Sequence, residues 1–197
     1  AVLDGQMRRI AQLCRNNQAE KVDCSADPAK REELWSARKR AFGAIGRISP
    51  SYCTQDACIP RSKLPEVLEA IRGIGQRHGL TITNVFHAGD GNVHPILLFD
   101  EDDPEQVTAV MNASHDILTY CIGIGGTLTG EHGVGVEKLP MMRVMFNEPT
   151  MNLFEQIKRT FDADDRLNLG KLIPSDKLFV DLTKPMGTRQ PGGAMAG

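Results

Sequence analysis

His87-Ala88-Gly89-Asp90-Gly91-Asn92-Val93-His94-Pro95 lies near the middle of the chain, and its reading decides the fold. Thr81-Ile82-Thr83-Asn84-Val85-Phe86 precedes it and Ile96-Leu97-Leu98-Phe99 follows it. Both flanks are β-branched, aromatic or apolar runs of strand type. Asp90-Gly91 between them is a two-residue hairpin signal, because a type I′ turn needs positive φ at both central positions. Counting outward from that turn pairs Gly89 with Asn92, Ala88 with Val93 and His87 with His94. The two imidazoles would then face each other on one side of the sheet, with Cβ atoms about 4.5–5.5 Å apart. Such a pair can converge on one metal ion, at roughly 2.0–2.1 Å per bond. The ordinary alternative is a hairpin whose histidines only pair within the sheet.

The 197 residues are enough for one sizeable domain or two small ones. Apolar residues at 41% and charged residues at 24% fit a globular protein, not a disordered one. A net charge of −2, without a basic cluster interleaved with aromatics, argues against a nucleic-acid surface. No apolar run approaches the roughly 20 residues of a membrane span, and the polar N-terminus does not read as a signal peptide. The five cysteines (14, 24, 53, 58 and 121) are odd in number and irregular in spacing. They read as reduced thiols of a cytoplasmic protein, not as a disulfide framework.

The chain opens on an amphipathic helix over residues 2–17, with Leu3, Met7, Ile10, Leu13 and Cys14 at three- and four-residue steps. No capping sequence precedes it, so the expectation is a piece of a longer protein. Residues 21–25 read as a short strand. Asp27-Pro28 opens a second helix, Asp as N-cap and Pro in the first turn, reaching about Ala44 and carrying Trp35 and Arg38. Residues 51–59 read as a strand between Pro50 and Pro60. Residues 63–78 read as a helix stopped by Gly79. After the hairpin, Asp100–Pro104 starts an acidic-capped helix that runs to about Ile122. Then come six glycines in thirteen residues, Gly123 to Gly135, which enclose Glu131 and His132. That density marks backbone in unusual conformation or close contact, and no phosphate-loop pattern is present. Residues 141–146 and 151–161 read as helices, with methionines as core fillers. The order of elements predicts an α+β fold, an antiparallel sheet with helices on one face. From about Lys184 the chain is rich in Pro, Gly, Thr and Ala, and disorder is expected.

Two long motifs, HAGDGNVHP (87–95) and GGTLTGEHGVGVEK (125–138), resemble the C-terminal domain of the FAD-linked oxidases of the vanillyl-alcohol oxidase type. Trp35-Ser-Ala-Arg38-Lys39, residues 42–50, Asp56-Ala-Cys-Ile-Pro60 and Leu167-Asn168…Gly170-Lys171 agree with the same family, over residues 1–174. The chain is most similar to its glycolate oxidase, D-lactate dehydrogenase and D-2-hydroxyglutarate dehydrogenase members, and the Gly-Arg-Ile-Ser-Pro and Ile-Pro-Arg stretches point to the glycolate oxidase branch. The resemblance implies a ferredoxin-like antiparallel sheet backed by helices, with a helical C-terminal extension, over residues 1–174, and a partly disordered tail over 175–197. It also implies that FAD is held mainly by an N-terminal domain with no counterpart here, so that the isolated chain would not turn over.

The resemblance further implies roles. His87, His94 and Glu131 become ligands of a divalent metal such as zinc, iron or manganese. His132 becomes the general base, Arg38 the clamp on the substrate carboxylate, and Asn168 and Lys171 the residues near the flavin. Leu169 stands where the family often has proline. Ile96 and Thr54 stand where some relatives carry a substrate-binding Asn and Lys, which favours a small monocarboxylic 2-hydroxy acid. The chemistry suits these residue types. A Lewis acid stabilises a developing alkoxide, an imidazole takes a proton near neutral pH, and an arginine orients a carboxylate by paired hydrogen bonds. Expected partners are the substrate, the flavin domain and other subunits of a glycolate oxidase complex, with peripheral attachment at the inner membrane as a variant of the cytoplasmic location. Two competing readings are a non-catalytic subunit of such a complex and a His₂Glu zinc hydrolase.

Overall fold

A computed structural model describes residues 2–174; the expected tail disorder falls outside them. The chain divides into two compact units, residues 1–48 and residues 49 onward.

The first unit is helical. α1 (Val2–Asn16) keeps Leu3, Ile10 and Leu13 of its apolar stripe exposed and buries Ala11. Residues 21–25, expected as a strand, are irregular; no ladder partner is present for them among the described residues. α2 (Pro28–Lys39) starts as its sequence dictates, the Asp27 side chain accepting the Lys30 N–H at 2.7 Å with Pro28 in the first turn. The expected continuation to Ala44 is broken at Arg40, and α3 (Ala41–Ile45) follows as a separate turn of helix. Gly43 and Gly46, the poorest helix formers after proline, leave this end too weak to propagate.

The second unit carries the sheet. β1 (Ser51–Thr54) and β2 (Ala57–Cys58) form one interrupted strand. Both lie antiparallel to β4 (Asn92–Phe99) in a single register, from Ser51↔Phe99 through Thr54↔Ile96 to Ala57↔Val93. The Gln55 N–H donates to the Pro95 carbonyl at 2.8 Å, which bridges the break. Asp56 therefore falls opposite His94. β3 (Thr81–His87) pairs with the other edge of β4. Between β2 and β3 lies α4 (Leu64–His78), ended by Gly79, and after β4 comes α5 (Pro104–Gly123), capped by Asp103. Thr127 then bridges back to Cys58. The order is β-α-β-β-α-β with the last strand reduced to one bridge, which is the ferredoxin-like arrangement. The helical extension is α6 (Leu139–Met145) and α7 (Glu148–Phe161).

Alternation along β4 sorts the two faces of the sheet. Val93 and Leu97, with Ile82 and Phe86 of β3, join the apolar core with Val67, Ile71 and Ile74 of α4 and Val110, Ile117 and Cys121 of α5. Each fully buried Ile or Leu there contributes about 1.5–3 kcal/mol. Asn92, His94, Ile96 and Leu98 point to the opposite face, and so do His87 and Asp56 by their pairing.

The hairpin corrects the expected register. Asp90-Gly91 is not a two-residue turn. The loop spans residues 88–91, and His87 pairs with Asn92 while His94 pairs with Val85. The N–H groups of Asp90 and Gly91 both donate to the His87 carbonyl, at 3.0 and 3.1 Å. Gly91, at φ +76°, ends the loop. Its carbonyl accepts the Ile59 N–H at 2.9 Å, and any Cβ would collide with the Ile59 carbonyl. The turn is thus seated on the neighbouring strand end, which draws Gly91 out of the centre of a tight turn. The difference moves each strand by one residue relative to the turn, an even total, so no side chain changes face.

Candidate metal centre

His87 and His94 remain on one face as diagonal neighbours, at the reach expected of such positions. Their rings meet edge to face with centroids 5.3 Å apart. His94 is buried at 4% exposure, and His87 is partly open. The glycine-rich segment after α5 brings Glu131 to them. Its Oε1 lies 3.0 Å from His94 Nε2 and 3.6 Å from His87 Nε2. The three ligand atoms lie within 4.8 Å of one another. Ligands held at roughly 2.0–2.1 Å in a tetrahedral shell stand about 3.3 Å apart, so the donor set and its spacing fit one divalent ion. Imidazole and carboxylate together suit zinc, iron or manganese. His132 stacks on His94, centroids 5.0 Å apart and planes 12° off parallel, with Nε2 3.9 Å from Glu131 Oε1 and the ring half exposed.

The segment is held from below by a residue that sequence reasoning did not single out. The fully buried Asp56 carboxylate accepts Thr129 Oγ1 at 2.6 Å and the N–H groups of Gly130 at 2.7 Å, Glu131 at 3.1 Å and His132 at 3.0 Å, all on Oδ2. Three successive backbone N–H groups form an anion nest around it. Lys138, also buried, donates from Nζ to the Asp56 carbonyl at 2.8 Å and stands 3.6 Å from Oδ2. Burial by itself pushes the Asp56 carboxyl up. The Thr129 hydroxyl, the N–H groups of His132 and Gly130, and the Lys138 cation outweigh it and hold the group well below the ordinary range. Burial pushes Lys138 down, against the neighbouring acids. The available signal for Asp56 was the pairing of residues 51–59 with 92–99, which sets an acid opposite a histidine.

Asn168 and Lys171 lie elsewhere in this unit. Both line an apolar cavity of about 760 Å³ that Thr127 and Thr129 also line, between the glycine-rich segment and α6–α7. Asn168 takes φ +48°, and the Leu172 N–H ties this stretch to the Gly135 carbonyl at 3.0 Å. Arg38 lies in the last turn of α2, in the first unit, and is exposed.

A ferredoxin-like sheet with a His–His–Glu cluster on the face turned away from the α4–α5 core defines an α+β domain built around a small polar centre. The family model for FAD linked oxidases, C-terminal domain, matches residues 1–172, and the chain belongs to that family. It is 45% identical over 154 residues to glycolate oxidase subunit GlcD of Escherichia coli K12, covering 78% of this chain and 31% of the relative. To the mitochondrial cytochrome D-lactate dehydrogenase of Arabidopsis thaliana it is 30% identical, covering 88% and 31%. To the D-2-hydroxyglutarate dehydrogenase of E. coli it is 29% identical, covering 78% and 15%. The chain thus spans about a third or less of these relatives' length. No helix of the described residues is long and apolar enough to cross a membrane.

Proposed function

We propose that this chain is the substrate- and metal-binding half of a flavin-dependent 2-hydroxy-acid dehydrogenase of the glycolate or D-lactate type, acting with an FAD-binding domain. The observation that carries the reading is the convergence of His87, His94 and Glu131 within 4.8 Å in a chain of this family. A divalent cation at these three side chains supplies Lewis-acid stabilisation of the developing alkoxide. The flavin supplies the hydride acceptor. His132, half exposed and stacked on His94, takes the hydroxyl proton at its ring nitrogen. Arg38 would hold the substrate carboxylate, and Asn168 and Lys171 would meet the flavin. Thr54 and Ile96 are ladder partners on the face that carries His94. Neither bears a charge or an amide to meet a second carboxylate, which supports a small monocarboxylic substrate. Relatives named as glycolate oxidase subunits support assembly with further subunits.

Titration of the metal-free chain with Zn²⁺ or Co²⁺ tests the ligand set. One ion binds per chain, and His87→Ala or Glu131→Gln weakens binding by about 100-fold or more, the removal of one of three ligands. Equal affinity in wild type and variants overturns the assignment. In the full-length protein, Arg38→Ala lowers kcat/KM for glycolate or D-lactate at least about tenfold, some 1.4 kcal/mol. A smaller change removes Arg38 from the substrate site.

A further inference from the structure

We propose that Asp56 is the positioning residue of the metal centre. From its place opposite His94, its carboxylate sets both the Gly130–His132 backbone and the His94 ring, so that the ligand atoms converge before a divalent cation arrives. This rests on the reading of His87, His94 and Glu131 as ligands.

The two carboxylate oxygens divide the work. Oδ2 accepts Thr129 Oγ1, Gly130 N–H, Glu131 N–H and His132 N–H, so the backbone that aims Glu131 and His132 is fixed from one atom. Oδ1 receives only the longer Glu131 N–H contact at 3.2 Å, and it stands 3.6 Å from His94 Nδ1. That nitrogen is buried and has no hydrogen-bond partner among the described residues. A histidine that binds a cation through Nε2 carries its proton on Nδ1, and directing that proton at a carboxylate fixes the ring and makes Nε2 a better donor. Asp56 is the acid placed to receive it. Lys138, 3.6 Å from Oδ2, offsets the buried charge. An unpaired buried carboxylate is costly, and these partners hold the group in one geometry. Asn92, Gly130 and Ile59 contacts already place the hairpin and the loop near each other. Asp56 is the element common to both that also touches the ligating residues' own backbone.

The test is Co²⁺ titration of the full 197-residue chain, followed by its visible ligand-field absorption, with the Zn²⁺ dissociation constant from competition. Thermal unfolding of each metal-free variant reports whether it folds. Asp56→Asn removes the charge and turns an amide toward three N–H donors. It is expected to weaken metal binding about 10- to 100-fold and to change the Co²⁺ spectrum. Thr129→Val keeps the charge and removes the 2.6 Å bond. It is expected to weaken binding about three- to tenfold, a part of the outer-shell effect, with a spectral change of the same kind. A folded Asp56→Asn chain with wild-type affinity and spectrum overturns the proposal. If Asp56→Asn does not fold, Thr129→Val decides, and wild-type affinity and spectrum in that variant overturn it. A wild-type chain that binds no Co²⁺ is a different result, and it overturns the ligand reading together with this inference.

Discussion

His94 shows how much of this centre depends on single side chains. A buried imidazole is costly unless its nitrogens have partners, and here one faces Glu131 at 3.0 Å and the other faces Asp56 at 3.6 Å. The space around it is equally determined. A Cβ on Gly130 would fall 2.7 Å from Asn92 Cγ and closer still to its Oδ1. Asn92 is itself buried, pairs with His87 in the hairpin, and leaves Oδ1 without a partner among the described residues. Gly130→Ala must therefore push the buried Asn92 side chain aside or displace the loop that aims Glu131. It is expected to destabilise the chain by about 1–3 kcal/mol, as overpacking does, read from urea midpoints at constant m. Asn92→Ala in the same chain restores room, so the double variant should recover at least about 1 kcal/mol relative to the sum of the singles. Additive losses would show that the two side chains do not compete for this space.

At the scale of elements, local signals were legible and long-range ones were not. The Asp27-Pro28 and Asp103-Pro104 caps and the Gly79 stop state their positions within a few residues of sequence, and the helices begin and end there. The hairpin shows the boundary between the two kinds of information. Strand-type flanks around Asp90-Gly91 were enough to place His87 and His94 on one face. They were not enough for the register, because the loop is closed by Ile59, some thirty residues away in the chain. The site survived the error because a shift of even total keeps side-chain parity. The role of Asp56 was missed for the same physical reason. Asp56-Ala-Cys-Ile-Pro60 agrees with the family but gives the acid no role, which appears only when residues 51–58 are laid against β4. The Thr127 bridge to Cys58 lies in a glycine-rich stretch without strand composition, so the last strand of the ferredoxin-like order was invisible. The motifs that carried the family resemblance already contained His87, His94, Glu131 and His132, so the cluster was legible as residues before it was legible as geometry. Arg38, Asn168 and Lys171 entered by resemblance alone, since a helix charge and a turn Asn have no spacing that points to a site.

For the molecule as a whole, the placement of its acids and thiols predicts stability against pH on both sides of neutrality. Asp56 is held well below the ordinary carboxyl range despite burial, by Thr129, the loop N–H groups and Lys138. Asp162 is held at about 2 by Lys158 and by the N–H groups of Leu167 and Arg166. Asp116 is lowered by His78 and Arg77, and Glu66 by Lys63 and Tyr120. A carboxyl that is more acidic in the folded chain contributes stability that is complete above its unfolded value, about 4, and lost as pH falls toward its folded one. The thiols act at the other end. Burial pushes Cys121 up to about 12, and burial with the Glu137 charge pushes Cys53 up to about 11. Below about 8.5 both thiols are protonated whether the chain is folded or not, and their contribution is whole. Above it the unfolded chain loses protons that the folded chain retains, and stability falls until the folded values are reached. Urea midpoints from pH 2 to 11 should therefore trace a plateau between about 5 and 8 with a decline on each side. A share of the alkaline decline can be assigned to one residue. Cys121, on the core side of α5, is fully buried, and one retained proton corresponds to a slope of about 1.4 kcal/mol per pH unit. Cys121→Ala lowers stability everywhere by leaving a small cavity, but it should also flatten the slope between pH 9 and 10 by about that amount. Lys21, Lys63 and Lys158, raised by their acidic partners, also contribute at the upper end of that window, and comparison of the two chains removes their share. An unchanged slope in Cys121→Ala would move the alkaline limb to other groups.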